Sequence, residues 1–329
     1  MPANLAARPR SIAVTGASGF IGGHAVRTFE RAGFEVRALS RAAGGSRFAS
    51  LDYLDTDAVA YALHGVNVVV HAAGLAHVSK RQLSDPRRAY DEANVRAAVS
   101  VAGACVKAGV ESLVLLSSAG VLGRESPEGG FDDRTAPNPY DLYTVSKLEG
   151  ERRVSELAMG SRLAVAVLRP PMVYGPGAPG SFKRLAAWID RGWPLPLGSI
   201  VNRRSFVGVR NLCDAMRAWA IGAISGISTM LVADSVAITA AEFARQIARA
   251  KGRRAHFLAV PPWVLRVAFG AVGRLDNYRR LGGSFELHPS RLRELLGWHP
   301  PYALADELSW SFLQQPSSDG ALGRRSRGS

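Results

Sequence analysis

The sequence predicts an α/β fold, a doubly wound parallel sheet joined to a smaller carboxy-terminal lobe, and three observations predict it. Short β-branched, apolar runs alternate with segments of helical length through the first half of the chain, which is the pattern of strands covered by helices on both faces. A glycine-rich turn, Thr15-Gly16-Ala17-Ser18-Gly19-Phe20-Ile21-Gly22, follows the first of those runs. After Arg169 the texture changes to Pro170-Pro171-Met172-Val173-Tyr174-Gly175-Pro176-Gly177, then to Trp188, Trp193, Pro194 and Pro196. That change marks entry into a second lobe, which in open α/β sheets closes over the carboxyl ends of the strands, where ligands bind.

The elements follow in order. Ser11 to Thr15, Glu35 to Leu39, Val66 to His71, Ser112 to Ser117 and Leu163 to Leu168 are compact apolar runs bounded by turn or polar residues, and are read as buried strands. A short additional strand is placed to end at Asp52, third in order along the chain. Ile21 to Ala32, Thr56 to Leu63, Pro86 to Ala108 and Tyr140 to Met159 have helical length and spacing, and Pro86 suits a first turn. The expected division is a dinucleotide-binding domain over 1–170 and a substrate lobe over 171–315, with about 203–222 returning to the first domain. Residues 316–329, rich in serine, glycine and arginine, are expected to form a disordered tail. The apolar stretch from Pro261 to Val272 carries Arg266 and is too short to span a membrane, so it is read as a lobe helix rather than a surface anchor.

Composition sets the outer limits. With 329 residues, 47% of them hydrophobic, and a mean hydropathy of +0.02, the chain can bury one large core and a smaller one. It has no charge-free apolar run of about eighteen residues, and Met1 to Arg10 lacks the apolar stretch of a signal peptide, so a cytoplasmic location is expected. Cys105 and Cys213 fall in helical segments without metal-ligand spacing and read as packed small side chains. The net charge of +14 would attract polyanions, but the arginines are scattered and no basic stripe or zinc finger accompanies them, which leaves nucleic-acid binding without a motif.

At the glycine turn the chain must bend tightly, approach a diphosphate with its backbone and pack a helix near the sheet, and Gly16, Gly19 and Gly22 permit each. The N–H groups of the following helix then face the phosphates. An acid at the end of the second strand would accept from a free ribose 2′-hydroxyl. Here the chain reads Ser40-Arg41, suited to a 2′-phosphate, so NADP(H) is expected over NAD(H), with solvation of Arg41 and use of either cofactor as the alternative. Asp52 is placed to accept from the adenine amine. His71-Ala72-Ala73-Gly74 lets the chain pass beside the cofactor, and His71 reads as a core histidine. Downstream, Tyr143 and Lys147 share a helix face in Tyr143-Thr144-Val145-Ser146-Lys147. A tyrosine, with its pKa of about 10, needs a nearby cation to serve as a base at neutral pH. Ser118 can orient the same substrate oxygen.

Together these motifs resemble the extended short-chain dehydrogenases/reductases, the superfamily of nucleotide-sugar epimerases, dehydratases and reductases, over about residues 10 to 315. The resemblance implies a Rossmann-type domain, with Tyr143 as acid/base, Lys147 on the cofactor ribose and lowering the tyrosine pKa, Ser118 as hydroxyl partner and Asn94 supporting the site. It also places Ser117 beside the nicotinamide and Phe20, Ile21 and Pro170 among the cofactor contacts. The stretches from Arg169 to Gly177, Leu195 to Gly198 and Asn202 to Val209 resemble bacterial UDP-sugar 4-reductases and 4-epimerases of O-antigen and exopolysaccharide synthesis. In those enzymes an arginine at the place of Arg204 binds the diphosphate, and an asparagine stands where this chain has Met172. Reduction of a 4-keto group on a UDP-linked deoxy-N-acetylhexosamine is the first expectation, and 4-epimerisation of UDP-glucose or UDP-N-acetylglucosamine with retained cofactor is the second. A non-catalytic dinucleotide sensor is the remote third. Pairing of the helices Pro86 to Ala108 and Tyr140 to Met159 into a homodimer is a further implication of the resemblance.

Overall fold

A computed structural model describes residues 10–41, 49–76, 84–271 and 282–313. Its strands are β1 (Ser11–Thr15), β2 (Glu35–Ser40), β3 (Ala49–Ser50), β4 (Val68–His71), β5 (Ser112–Leu116), β6 (Phe131–Asp132), β7 (Ala164–Arg169), β8 (Met172–Tyr174), β9 (Phe206–Gly208), β10 (Ile227–Leu231) and β11 (Leu287–His288). The α-helices are α1 (Phe20–Arg31), α2 (Thr56–Ala62), α3 (Pro86–Tyr90), α4 (Ala97–Ala108), α5 (Leu142–Ala158), α6 (Ser181–Asp190), α7 (Val209–Ile221), α8 (Ala240–Ala250), α9 (Pro262–Ala271), α10 (Arg291–Leu296) and α11 (Leu304–Leu313).

Seven strands form one parallel sheet in the order β10-β7-β5-β4-β1-β2-β3. The central strands β1, β4, β5 and β7 are largely apolar and buried because both of their faces are covered. Ile12, Val14, Val68 and Val70 point into one core, with Phe29 of α1 and Leu212, Met216 and Trp219 of α7. Ala13, Val69, Leu113 and Leu115 point into the other, with Val59 of α2, Val101 of α4 and Val154 of α5. Cys105 and Cys213 are each fully buried in these cores, and burial pushes both thiols up, which leaves them unreactive. The strand order reverses between β1 and β4, whose last residues, Thr15 and His71, lie opposite each other. That reversal opens a crevice at the carboxyl ends of the strands.

The expected strands are present to within two residues at either end, and two elements differ from expectation. Strand β10 pairs with β7, so the return of the chain to the sheet reaches Leu231, beyond the segment 203–222. The helix expected over Pro86 to Ala108 is divided by a π turn at Asp91–Arg96. At this turn the carbonyl of Asn94 approaches α5 so closely that a Cβ at Gly150 would lie 2.4 Å from it. π turns of this kind often accompany functional sites, and this one carries Asn94.

The second lobe has its own core of Tyr174, Phe182, Phe206, Phe243, Ile247 and Leu308, with the rings of Phe206 and Phe243 stacked 3.9 Å apart. Strand β8 continues directly from the sheet and pairs with β9, which ties the lobe to the crevice. No helix among the described residues is long and apolar enough to cross a membrane. The expected disordered tail lies outside the described residues.

Candidate active site

The glycine turn leaves β1 with Gly16 at φ +69°, a left-handed conformation that glycine adopts without cost. A Cβ at Gly16 would lie 2.7 Å from the Ala73 nitrogen, and one at Gly22 would lie 2.2 Å from the Gly16 oxygen. The turn is therefore a cradle in which added side chains collide with backbone. Its shape is held from β2: the Gly16 N–H donates to the Tyr53 hydroxyl at 2.9 Å, which donates to the Leu39 carbonyl at 2.8 Å. Nothing local in the sequence marks Tyr53, because its partners stand 37 and 14 residues away.

Cavities open on both sides of this cradle. One, of about 390 Å³, is lined by Ser18, Gly19, Phe20, Arg27, Pro176 and Gly177. The other, of about 270 Å³, is lined by Arg41, Asp52, Tyr53, Ala73, Gly74 and Glu92. A diphosphate with a nucleoside on one side fits this cradle: the helix N-terminus supplies N–H groups, and Asp52 and Arg41 share the wall of the second cavity. Ile21 is partly buried against the first core. The Ser40 hydroxyl does not face that cavity as a free donor. It is 2% exposed and bonded to the Ser18 hydroxyl at 2.7 Å, so the expected two-residue grip on a 2′-phosphate is reduced to Arg41.

The chain passes the crevice at Ala72-Ala73-Gly74, and Asn94 clamps it there. The Asn94 side chain accepts from the Leu75 N–H at 2.8 Å and donates to the Leu75 carbonyl at 3.0 Å and the Ser146 hydroxyl at 2.9 Å. A Cβ at Gly74 would stand 2.9 Å from the Asn94 amide oxygen and 3.4 Å from the Lys147 ammonium. His71 is buried, bonded to Thr15 at 2.9 Å, and held down to about 3 by burial and by Lys147. It is a neutral core residue, as its sequence context suggests.

Helix α5 opens on a capping box in which Asp141 accepts from the Thr144 N–H at 2.8 Å and Thr144 accepts from the Asp141 N–H at 3.1 Å. The cap sets Tyr143 in the first turn, where its phenol is hydrogen-bonded to Ser118. Burial pushes that phenol up to about 12, and Ser118 pulls against it. The expected lowering by Lys147 does not appear: the Lys147 ammonium donates to the Leu116 carbonyl at 2.7 Å, and burial brings it down to about 8. The Ser117 hydroxyl is buried, 4% exposed, and donates to the Glu151 carboxylate, so what Ser117 can offer a neighbouring nicotinamide is its backbone. Pro170 is buried, and its carbonyl accepts from the Ala119 N–H at 2.9 Å, which fixes the strand end that carries Ser118.

The structure thus gathers Tyr143, Lys147, Ser118 and Asn94 along the carboxyl edge beside the glycine cradle. Met172 sits in β8 against the lobe core. Arg204 lies with its guanidinium over Phe285, 6.0 Å from the ring centre, and donates to the Gly283 carbonyl at 2.7 Å. Chemically, the arrangement can move a proton at an oxygen held by Tyr143 and Ser118, next to a carbon facing a bound dinucleotide.

Comparison with known proteins places this geometry. Residues 12–223 match the NAD dependent epimerase/dehydratase family. A UDP-glucose 4-epimerase of Vibrio cholerae is 32% identical over 317 residues, covering 93% of this chain and 96% of the relative. Among solved structures, MoeE5 in complex with UDP-glucose and NAD has 26% identity and a TM-score of 0.73, with 92% and 97% of the two chains covered. The Thermus thermophilus UDP-glucose 4-epimerase complex with NAD has 27% identity and a TM-score of 0.72, with the same coverage.

Proposed function

The chain belongs to the NAD dependent epimerase/dehydratase family, as an enzyme of the extended short-chain dehydrogenase/reductase type, and we propose that it is a UDP-sugar 4-epimerase that retains its NAD. The observation that carries this reading is the Tyr143–Ser118 pair at the edge of the glycine cradle, in a chain whose similarity to UDP-glucose 4-epimerases runs nearly its full length. Similarity to complexes holding NAD supports that cofactor. So does the Ser40 hydroxyl, which is already taken by Ser18.

In this reading the glycine turn and Ala72-Ala73-Gly74 hold the dinucleotide, and Asp52 and Arg41 flank its adenosine end. Bound there, oxidised NAD supplies the acceptor for a hydride from C4 and a positive charge that favours the phenolate. Tyr143 takes the proton of the 4-hydroxyl and returns it after the 4-keto sugar has turned its other face. Ser118 aligns the same oxygen, and Lys147, fixed on Leu116 beside Gly74, anchors the ribose side. Arg204 suits the substrate diphosphate as a planar cation. It stands in for the contact that Met172, lacking an amide, does not make.

Reduction of a 4-keto sugar, the first expectation from sequence, takes second place. It retains one supporting observation, the arginine rather than an acid after β2. The two readings separate on incubating the protein with UDP-glucose or UDP-N-acetylglucosamine and no added cofactor. Formation of the 4-epimer is the expected result. Failure to epimerise, with stoichiometric NADPH oxidation on a UDP-4-keto-sugar, would establish the reductase.

A further inference from the structure

Beneath the reacting pair lies a buried ionic group that the proposed chemistry leaves unused. Glu151 follows Lys147 by one turn on α5, so Tyr143, Lys147 and Glu151 form one stripe. That stripe meets the end of β5 in register: Tyr143 bonds Ser118, Lys147 bonds the Leu116 carbonyl, and Glu151 accepts from the Ser117 hydroxyl. Arg169, the last residue of β7, grips the same carboxylate with Nη2 at 2.5 Å and Nε at 3.1 and 3.2 Å. Ser117, Glu151 and Arg169 are 4%, 5% and 8% exposed. Replacing a buried ion pair by apolar groups is often neutral or stabilising, so stability alone is a weak account of this one.

We propose that Glu151, held by Arg169, is a positioning residue for proton transfer: it locks the Ser117-Ser118 strand end against α5 and keeps the Lys147 ammonium charged. Among the described residues, the charged and titratable groups around Lys147 are Tyr143 and Glu151 on its own helix, His71 from β4, and Arg169 from β7 acting through Glu151. Before NAD binds, burial keeps the Tyr143 phenol protonated and the His71 ring neutral, so Glu151 is the standing anion among them. Burial drives the ammonium down and the Glu151 carboxylate opposes that drift. The catalytic part of this proposal rests on the epimerase reading, whereas the charge coupling does not.

The test is the titration of Lys147, followed by NMR on protein labelled with ¹³C at lysine Cε. The chain has five lysines, and Lys147→Arg assigns the signal. Glu151→Gln preserves the hydrogen-bonding shape and leaves Arg169 uncompensated, so the midpoint should fall by about one pH unit. Arg169→Gln leaves the carboxylate in place and should move the midpoint up. A purely structural disturbance would not give opposite signs. In Glu151→Gln the alkaline limb of kcat should fall in step, with KM little changed, and Glu151→Asp should restore it. An unmoved Lys147 midpoint in Glu151→Gln, or shifts of the same sign in both variants, would overturn the proposal. A wild-type protein without epimerase activity would overturn the reaction assigned above, and the titration would still decide the role of Glu151.

Discussion

Gly16→Ala tests the cradle, and its cost can be worked from two distances and one angle. At φ +69° an L-residue is in the left-handed region, which costs about 1–2 kcal/mol. The new Cβ would lie 2.7 Å from the Ala73 nitrogen and 2.8 Å from its Cα. That is about 0.7 Å inside the 3.4 Å at which ordinary contact begins. Backbone has no rotamer with which to yield, so overpacking adds about 1–3 kcal/mol, for a loss of about 2–5 kcal/mol. Gly33→Ala is the matched control, because Gly33 has φ +81° and nothing within 4 Å of its added Cβ. It should lose only about 1–2 kcal/mol. The unfolded-chain entropy change of glycine to alanine is common to both and cancels in the difference. Urea denaturation measures the two losses, and titration with NAD measures binding, which should weaken at least about tenfold for Gly16→Ala and stay unchanged for Gly33→Ala. Equal stability losses with equal NAD affinity would refute the idea that backbone contact with Ala73 fixes the cradle.

Tyr143→Phe should reduce epimerisation by about 10²–10⁴-fold while NAD still binds, as measured by initial rates alongside NAD titration. Asn94→Ala strands the Leu75 N–H and carbonyl beside the crevice, and a loss of about 2–4 kcal/mol is expected in urea denaturation. Glu307 is fully buried, and burial holds its carboxyl up at about 7 with Arg210 opposing. A carboxyl raised in the folded state takes up a proton on folding, so stability falls as pH rises from about 4.5 through 7, by about 3 kcal/mol. Melting temperature should therefore drop between pH 5 and pH 8, and Glu307→Gln should flatten the dependence.

The sheet was legible because its strands are buried on both faces and read as unbroken apolar runs, as in Val68-Val69-Val70. β10 was not legible, since Ser228 and Thr229 interrupt its run and its pairing with β7 is decided by tertiary contact. The π turn at Asp91–Arg96 leaves no local trace either, because its cause includes the close approach of Gly150 from another helix. Tyr143, Lys147, Ser118 and the glycine turn were legible as motifs of fixed spacing. Tyr53 and Arg169 bond partners far away in sequence, and although Glu151 follows Lys147 by one helical turn, its contacts with Ser117 and Arg169 are set by the fold. The expectation of NADP(H) lost one of its two supports for a related reason: the serine read as a donor to a 2′-phosphate is, in the fold, the partner of Ser18.

The most direct measurement is the fate of the C4 hydrogen. UDP-glucose deuterated at C4, incubated with the protein and excess unlabelled NADH, should yield the 4-epimer with deuterium still at C4, because the hydride returns to the sugar it left. Loss of the label to solvent or to the added NADH pool would contradict removal and return of hydride at one retained cofactor.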